Sequence, residues 1–117
     1  MSTSTAFDVI VVGAGIIGAA CAFRLSERGL RTVVIDAASA PATGSTGKSA
    51  AGVRVQFSSE TNVRLSWESI KEYRDFPELY GEESEYRAQG YLFLVPEDGV
   101  AEHRGGIEVQ RRVGAPV

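Results

Sequence analysis

The 117 residues suffice for one small domain, and a hydrophobic fraction of 44% with a charged fraction of 23% is typical of a globular protein rather than a disordered one. The net charge of −3, without a cluster of basic residues, argues against a surface for nucleic acid or anionic lipid. A single cysteine excludes an internal disulfide, and no apolar stretch is long enough to span a membrane, so we expect a cytoplasmic protein.

The first elements predicted along the chain form a βαβ unit. The sequence FDVIVV, residues 7–12, is apolar and β-branched and predicts a buried strand. A helix follows, with apolar residues at helical spacing and Gly29 at its end; Cys21 lies in it, where inert packing is its expected role. RTVVID, residues 31–36, predicts a second strand, so the pattern indicates two parallel strands joined by a helix.

A glycine pattern lies between the first strand and the helix. Gly13, Gly15 and Gly18 form G-x-G-x-x-G, and Asp36 ends the second strand, which is the full context of a dinucleotide-binding turn. The glycines permit a tight turn, approach of a pyrophosphate and close helix packing, while the helix N-terminus favours phosphate. Asp36 can accept hydrogen bonds from a ribose and would repel a 2′-phosphate. The pattern alone does not separate FAD from NAD, and a purely structural glycine turn is the alternative.

Residues 37–53 are rich in Ala, Ser, Thr and Gly and predict a long loop. Within it ATGSTGKS, residues 42–49, nearly matches the P-loop of nucleotide hydrolases, with Ala42 in place of the first glycine. A P-loop needs a strand running into that position, and Pro41 and its neighbours have little strand character. We therefore predict no P-loop. A flexible linker is one interpretation, and a ligand-binding loop at the carboxyl end of the second strand is the other.

The second half of the chain predicts a helix, a strand and a helix. The first helix begins at Ser58 or Ser59 and ends near Phe76, where Pro77 closes it. YLFLV, residues 91–95, predicts a strand, and residues 98–114 predict a weak helix in which His103 is expected at the surface. The faces expected to align are Val63, Trp67, Ile70 and Tyr73 in the first helix, and Val100, Ile107, Arg111 and Gly114 in the second.

Two long segments carry a family resemblance. DVIVVGAGIIGAACAFRLSERGLRTVVIDA and GSTGKSAAGVRVQF resemble the amino-terminal part of the D-amino acid oxidase-like flavoproteins, which include sarcosine oxidase, glycine oxidase and the β subunits of dye-linked L-proline dehydrogenases. The resemblance implies an α/β fold: an incomplete FAD-binding Rossmann-like domain in residues 1–60, and the beginning of a substrate domain in residues 61–117. It also implies that the remainder of such an enzyme is absent.

The resemblance further implies where FAD and substrate bind. Arg54 matches the position that holds the substrate carboxylate in sarcosine-oxidising members. Some relatives tether the flavin through a histidine in this loop. Lys48 occupies about the position of that histidine here, so a histidine-linked flavin is not expected. No catalytic residue and no metal ligand is predicted. The implied cofactor-binding residues are Gly13, Gly15, Ile16, Ile17, Gly18, Asp36, Ala37, Gly44, Ser45, Thr46, Gly47, Lys48, Ser49 and Gly52.

The implied function is the FAD-binding part of an amine or amino-acid oxidoreductase. Such an enzyme transfers a hydride from a carbon next to nitrogen to flavin N5, and we expect this chain to be inactive without the missing part. The alternative is a non-catalytic fragment, or one chain of a split enzyme, that folds with a complementary chain or in a hetero-oligomer. A third hypothesis, an NAD-binding module, is disfavoured by residues 44–54.

Overall fold

A computed structural model describes residues 6–117 and separates them into two units, which divide between Ala51 and Gly52. No helix among these residues combines the length and apolarity that a transmembrane span requires. The first unit contains strand β1 (Val9–Val12), helix α1 (Ile16–Glu27) and strand β2 (Thr32–Ile35). The second contains α2 (Glu60–Arg74), α3 (Phe76–Tyr80), a 3₁₀ turn (Glu97–Gly99) and α4 (Val100–Val113).

The first unit is the predicted parallel βαβ arrangement. Val9 lies opposite Thr32 and Val12 opposite Ile35, so the two strands begin and end together. An ion pair joins their starts: the Arg31 guanidinium donates to both carboxylate oxygens of Asp8, at 2.8 and 3.0 Å. The in-register pairing places the residues after Val12 beside those after Ile35, at the carboxyl edge of the sheet.

The expectation that the first strand is buried is wrong for one of its faces. Val9 and Val11 are half-buried where α1 packs on the sheet, whereas Ile10 is 62% and Val12 80% exposed. Strand residues alternate between faces, and no described element of the first unit covers the second face. Cys21 is likewise exposed rather than packed, because no second helix in the described part of the first unit packs against α1.

The second unit has its core between α2 and α4. The apolar face predicted for α2 is confirmed, since Val63 and Ile70 are buried and Trp67 packs against them. Ser59 is the N-cap residue, although its side chain makes no cap hydrogen bond. Pro77 does not simply close the helix, because it lies in the first turn of α3. Backbone N–H groups in a first turn have no acceptor within the helix, so the N–H that proline lacks is not missed there.

Residues 91–95 are not a strand, contrary to the sequence prediction. Their backbone lacks regular secondary structure, and no described residue of the second unit forms a strand to pair with them. A β-branched or aromatic sequence becomes a strand only when a neighbour accepts its hydrogen bonds, which is information that the segment itself does not contain. Leu92 and Leu94 are therefore 88% and 89% exposed.

Helix α4 is regular, but the face expected to align is not the face that is buried. Gly106 and Gln110, one turn apart, are the buried positions. Gly106 lies against the backbone of residues 57–58, and Gln110 Nε2 donates to the carbonyl of Phe57 at 3.1 Å. The helix ends at Gly114, whose φ of +81° is a left-handed C-cap.

Replacing Gly105 by alanine is expected to stabilise the second unit. A Cβ at this exposed position in the middle of α4 meets no atom within 4 Å, and alanine has the higher helix propensity. The free energy of unfolding should rise by roughly 0.8–1 kcal/mol, measured by urea denaturation with circular dichroism at 222 nm. The Gly114→Ala control, at positive φ, should lower it by about 1 kcal/mol. A destabilised Gly105→Ala variant would contradict this packing of α4.

Candidate cofactor-binding site

The glycine turn between β1 and α1 depends on backbone geometry that other residues do not provide. Gly13 has φ +105°, and its N–H donates to the carbonyl of Ile35 at 2.7 Å, which joins the turn to the end of β2. A Cβ on Gly18 would lie 1.8 Å from the carbonyl oxygen of Gly13. This contact is far inside van der Waals distance, so only glycine allows α1 to begin so close to the turn.

The N-terminus of α1 is covered by one residue of the loop that follows β2. Gly15 is the N-cap residue and has no capping side chain of its own; the N–H of Ile16 donates instead to Thr46 Oγ1 at 3.0 Å. A Cβ on Gly15 would also lie 3.0 Å from that oxygen. The N–H of Ala42 donates to the carbonyl of Ala14 at 3.0 Å. The structure thus brings this loop against the glycine turn.

Residues 41–48 form turns, and no helix opens at Lys48, so the segment lacks the conformation of a P-loop. Ala42, which replaces the first P-loop glycine, has φ +61°, and a Cβ on Gly47 would lie 2.3 Å from the carbonyl oxygen of Ala42. Ser49 Oγ accepts the N–H of Ala51 at 3.0 Å. The side chain of Lys48 makes no ion pair with any residue in 6–117. Ala37, Gly44 and Ser45 are exposed.

Asp36 is held at the carboxyl end of β2 by backbone donors. Its Oδ2 accepts the N–H of Ala14 at 2.6 Å, and its Oδ1 accepts the N–H of Ala38 at 2.8 Å. These bonds lower the pKa of the Asp36 carboxyl below its ordinary value of 3.8, and the bond from Ala14 has the largest effect. The carboxylate is therefore ionised at neutral pH. An ionised carboxylate accepts about four hydrogen bonds, so about two acceptor positions stay available to a ligand.

Arg54 lies in the second unit, in a groove of about 580 Å³. Its guanidinium carbon lies 5.1 Å from the ring centre of Phe57 and 5.6 Å from that of Phe93, so the charged group is within cation–π distance of both rings. No carboxylate of residues 6–117 forms an ion pair with it. The groove is lined by Gly52, Val53, Arg54, Phe57, Leu65, Ser66, Ser69, Ile70, Tyr73 and Tyr91.

The sequence predicted a binding role for Arg54, which stays a prediction, but did not indicate the residues around it. Phe57, Phe93 and Tyr91 come from two segments more than thirty positions apart, and neither segment has a spacing that indicates contact. His103, expected at the surface, is half-buried with its ring centre 6.0 Å from that of Phe93. No signal in the single sequence identifies these contacts.

Comparison with known proteins identifies the family. The model of the DAO family, described as FAD dependent oxidoreductase, matches residues 8–117. The FAD-dependent oxidoreductase domain-containing protein 1 of Xenopus laevis is 33% identical over 121 residues, which cover 94% of this chain and 24% of that protein. Monomeric sarcosine oxidase of a Bacillus species is 50% identical over 40 residues, 34% of this chain and 10% of that protein.

A solved structure agrees with these matches. The crystal structure of L-proline dehydrogenase from P. horikoshii superposes with a TM-score of 0.81 at 33% identity, over 92% of this chain and 28% of that chain. The chain spans about a quarter of the length of the FAD-dependent oxidoreductase domain proteins it matches. It belongs to the DAO family of FAD-dependent oxidoreductases, as the resemblance predicted, and the expected α/β fold is confirmed.

Replacing Thr46 by valine should detach the loop from α1. Valine has the shape of threonine but no hydroxyl, so the N–H of Ile16 would lose its acceptor. Amide hydrogen exchange at Ile16 should become roughly fivefold faster, as for the loss of one neutral hydrogen bond. Thr46→Ser keeps the oxygen and should leave the rate unchanged. Equal rates in all three proteins would show that the Thr46 hydroxyl does not protect the helix N-terminus.

The pKa of Asp36 gives a second check on the site. The folded pKa lies below the unfolded value of about 3.9, so the stabilisation is present above that value and is lost as pH falls through the folded pKa. Carboxyl NMR titration should give Asp36 a pKa below 3.8, and Asp8 a pKa of about 2, lowered chiefly by its hydrogen bonds with Arg31. Arg31→Gln should raise the pKa of Asp8 only. A pKa of 3.8 or more for Asp36 would contradict its bond with Ala14.

Proposed function

We propose that this FAD-dependent oxidoreductase chain binds the ADP half of FAD at the glycine turn and Asp36, and belongs to an enzyme that oxidises amines or amino acids. The observation that carries the proposal is the juxtaposition of donors and an acceptor. Unused N–H groups at the N-terminus of α1 lie beside an ionised carboxylate that keeps free acceptor positions.

The N-terminus of α1 fits a pyrophosphate. The N–H groups of Ile17 and Gly18 lie in the first helical turn and donate to no acceptor among residues 6–117. The helix dipole adds a partial positive charge, and Gly15 has no side chain to block an approaching phosphate. Because a hydroxyl both donates and accepts, Thr46 can go on accepting the hydrogen bond of the Ile16 N–H while its O–H donates a hydrogen bond to a phosphate oxygen.

Asp36 fits an adenosine ribose. Its two remaining acceptor positions match the two neighbouring hydroxyls of a ribose, and Ala14 fixes the carboxylate beside the glycine turn. The negative charge disfavours a 2′-phosphate. Together with the family, this supports FAD over NADP.

The loop after β2 would continue along the cofactor. We propose that Ala37 lies near the ribose and that residues 44–52 line the diphosphate, ribityl and isoalloxazine portions. Small, exposed residues in this loop leave backbone N–H groups available to an anion. Lys48, which is free of ion pairs with the described residues, would supply a positive charge rather than a covalent tether.

Arg54 would hold the substrate carboxylate. Both sarcosine oxidase and L-proline dehydrogenase are named for substrates that are secondary amines carrying a carboxylate. A planar guanidinium binds a carboxylate through two parallel hydrogen bonds, and the rings of Phe57 and Phe93 restrict the plane it adopts. Bound FAD would accept a hydride from the carbon next to the substrate nitrogen. The task of Arg54 is to orient that carbon.

The exposed face of the first unit supports a requirement for further polypeptide. Ile10 and Val12 present apolar surface that no described element of the first unit covers, and a two-stranded sheet is only marginally stable by itself. We propose that amine oxidation needs additional segments, in the same chain, in a complementary chain or in a hetero-oligomeric subunit. The same observation favours the second candidate, a non-catalytic piece that folds only on a partner.

Titration of the chain with FAD, followed by the visible flavin spectrum and flavin fluorescence, tests the proposal. Asp36→Asn keeps the size of the side chain but removes its charge, so the affinity for FAD should fall roughly tenfold, as expected for a hydrogen bond to a charged group. Asp98→Asn, an exposed change in the second unit, is the matched control and should bind like the wild type.

ADP should compete with FAD, because the proposed residues contact the ADP half. If riboflavin competed with FAD and ADP did not, the proposed contact of Asp36 with the ADP half would be wrong. If neither FAD nor ADP bound a folded chain, the second candidate would be favoured.

A further inference from the structure

The hydroxyl of Tyr91 reaches into the groove that contains Arg54, at a place where residue 52 has no side chain. A Cβ on Gly52 would lie 2.6 Å from Tyr91 Oη, closer than real Cβ atoms approach an oxygen, and 3.9 Å from Tyr91 Cζ. Only the hydroxyl, and not the ring, is therefore incompatible with a larger residue at position 52. Glycine at this position provides the space that the hydroxyl occupies.

Tyr91 and Arg54 are neighbours through the same aromatic ring. The ring centres of Tyr91 and Phe93 are 6.3 Å apart, and the Arg54 guanidinium lies over the ring of Phe93 at 5.6 Å. Both side chains line the groove. The Tyr91 hydroxyl makes no hydrogen bond with any residue in 6–117, and Arg54 has no ion pair there. Two groups that can donate to one anion thus lie in one groove without acceptors.

The remaining wall of the groove suits a short hydrocarbon. Leu65, Ile70 and Phe57 contribute apolar surface, and the volume of about 580 Å³ lies within the usual range for small-molecule sites, about 300–1,000 Å³. Tyrosine donates a hydrogen bond through its hydroxyl without adding charge, which suits a carboxylate whose charge Arg54 already balances. The ligand class that this combination fits is a small amino or N-alkylamino carboxylate.

We propose that Tyr91 is a second carboxylate-binding residue, donating to the same substrate carboxylate as Arg54, and that Gly52 determines specificity by keeping space for its hydroxyl. This inference rests on the proposed role of Arg54. It adds a residue from a segment whose sequence, YLFLV, indicates only a strand.

The test is NMR titration of the 117-residue chain with pyrrole-2-carboxylate, an unreactive analogue of a cyclic secondary amino acid, followed at the Arg54 Nε–H and the backbone amides. Pyrrole-2-carboxamide, which lacks the charge, is the ligand control and should bind at least tenfold more weakly. Tyr91→Phe should weaken carboxylate binding roughly tenfold, as for one hydrogen bond to a charged group. Tyr80→Phe, whose hydroxyl donates to Glu72, is the tyrosine control and should have no effect.

Gly52→Ala distinguishes a positioned hydroxyl from a general loss of structure. Alone it should displace the hydroxyl and weaken binding as much as Tyr91→Phe. In the Gly52→Ala/Tyr91→Phe double variant the nearest group to the new methyl is Cζ at 3.9 Å, so the double variant should bind like Tyr91→Phe alone. Additive losses would overturn the assignment of Gly52, and unchanged binding by Tyr91→Phe would overturn the assignment of Tyr91.

Failure of the underlying proposal gives a different result. Arg54→Lys should weaken binding at least tenfold, because an ammonium does not form the bidentate pair. The control variant Arg104→Lys, changed at an exposed position, should bind the carboxylate like the wild type. If carboxylate binding depended on Arg54 but not on Tyr91, only the inference about Tyr91 would fail. If it depended on neither, or did not occur in a chain shown to be folded by its dispersed amide spectrum, the role of Arg54 would fail with it.

Discussion

The close contact between Gly18 and the carbonyl of Gly13 is the constraint on which the first unit depends. Because no Cβ intervenes, α1 starts directly after β1, and its N-terminus lies at the carboxyl edge of the sheet. The in-register pairing of Val12 with Ile35 places Asp36 at the same edge. The N–H donors at the start of α1 and the carboxylate acceptor of Asp36 after β2 therefore lie close together, and no long side chain is needed to join them. A larger residue at position 18 would move the helix and separate these groups together.

The two acceptors already at this edge differ in how they would respond to a ligand. Asp36 is charged, and hydrogen bonds with an ionised partner are about twice as strong as neutral ones, so a phosphate would not displace it from Ala14. Thr46 offers a neutral hydroxyl to Ile16, which an anion can share or replace at little cost. The carboxylate therefore behaves as a permanent part of the site. The loop is attached by a bond that a ligand can exchange, which is consistent with the proposal that this loop lies along a bound cofactor.

The sequence predicted those parts of the structure that depend on local chemistry. The β-branched runs, the glycine spacing and the apolar stripe of α2 each indicate a local structure within one short window, and the two strands, the turn and the buried face of α2 are confirmed. The roles of the glycines and Asp36 in binding a cofactor stay predictions. The failures depend on distant partners: residues 91–95 have strand composition but no strand beside them, and α4 buries Gly106 and Gln110 because of the backbone at Phe57. For the same reason the sequence indicated the loop at residues 42–49 but not the particular hydroxyl of Thr46 that contacts α1.

Arg54 shows how a residue can be exposed and still well positioned. A binding arginine needs a fixed backbone and a guanidinium that is free of internal ion pairs. The neighbouring Val55 is buried in the core, and the carbonyl of Phe57 accepts the hydrogen bond of Gln110, so the backbone is held on the carboxyl side of Arg54. The rings of Phe57 and Phe93 restrict the guanidinium without neutralising it. A carboxylate side chain at this place would have compensated the charge of Arg54, whereas aromatic rings leave that charge available to an anion.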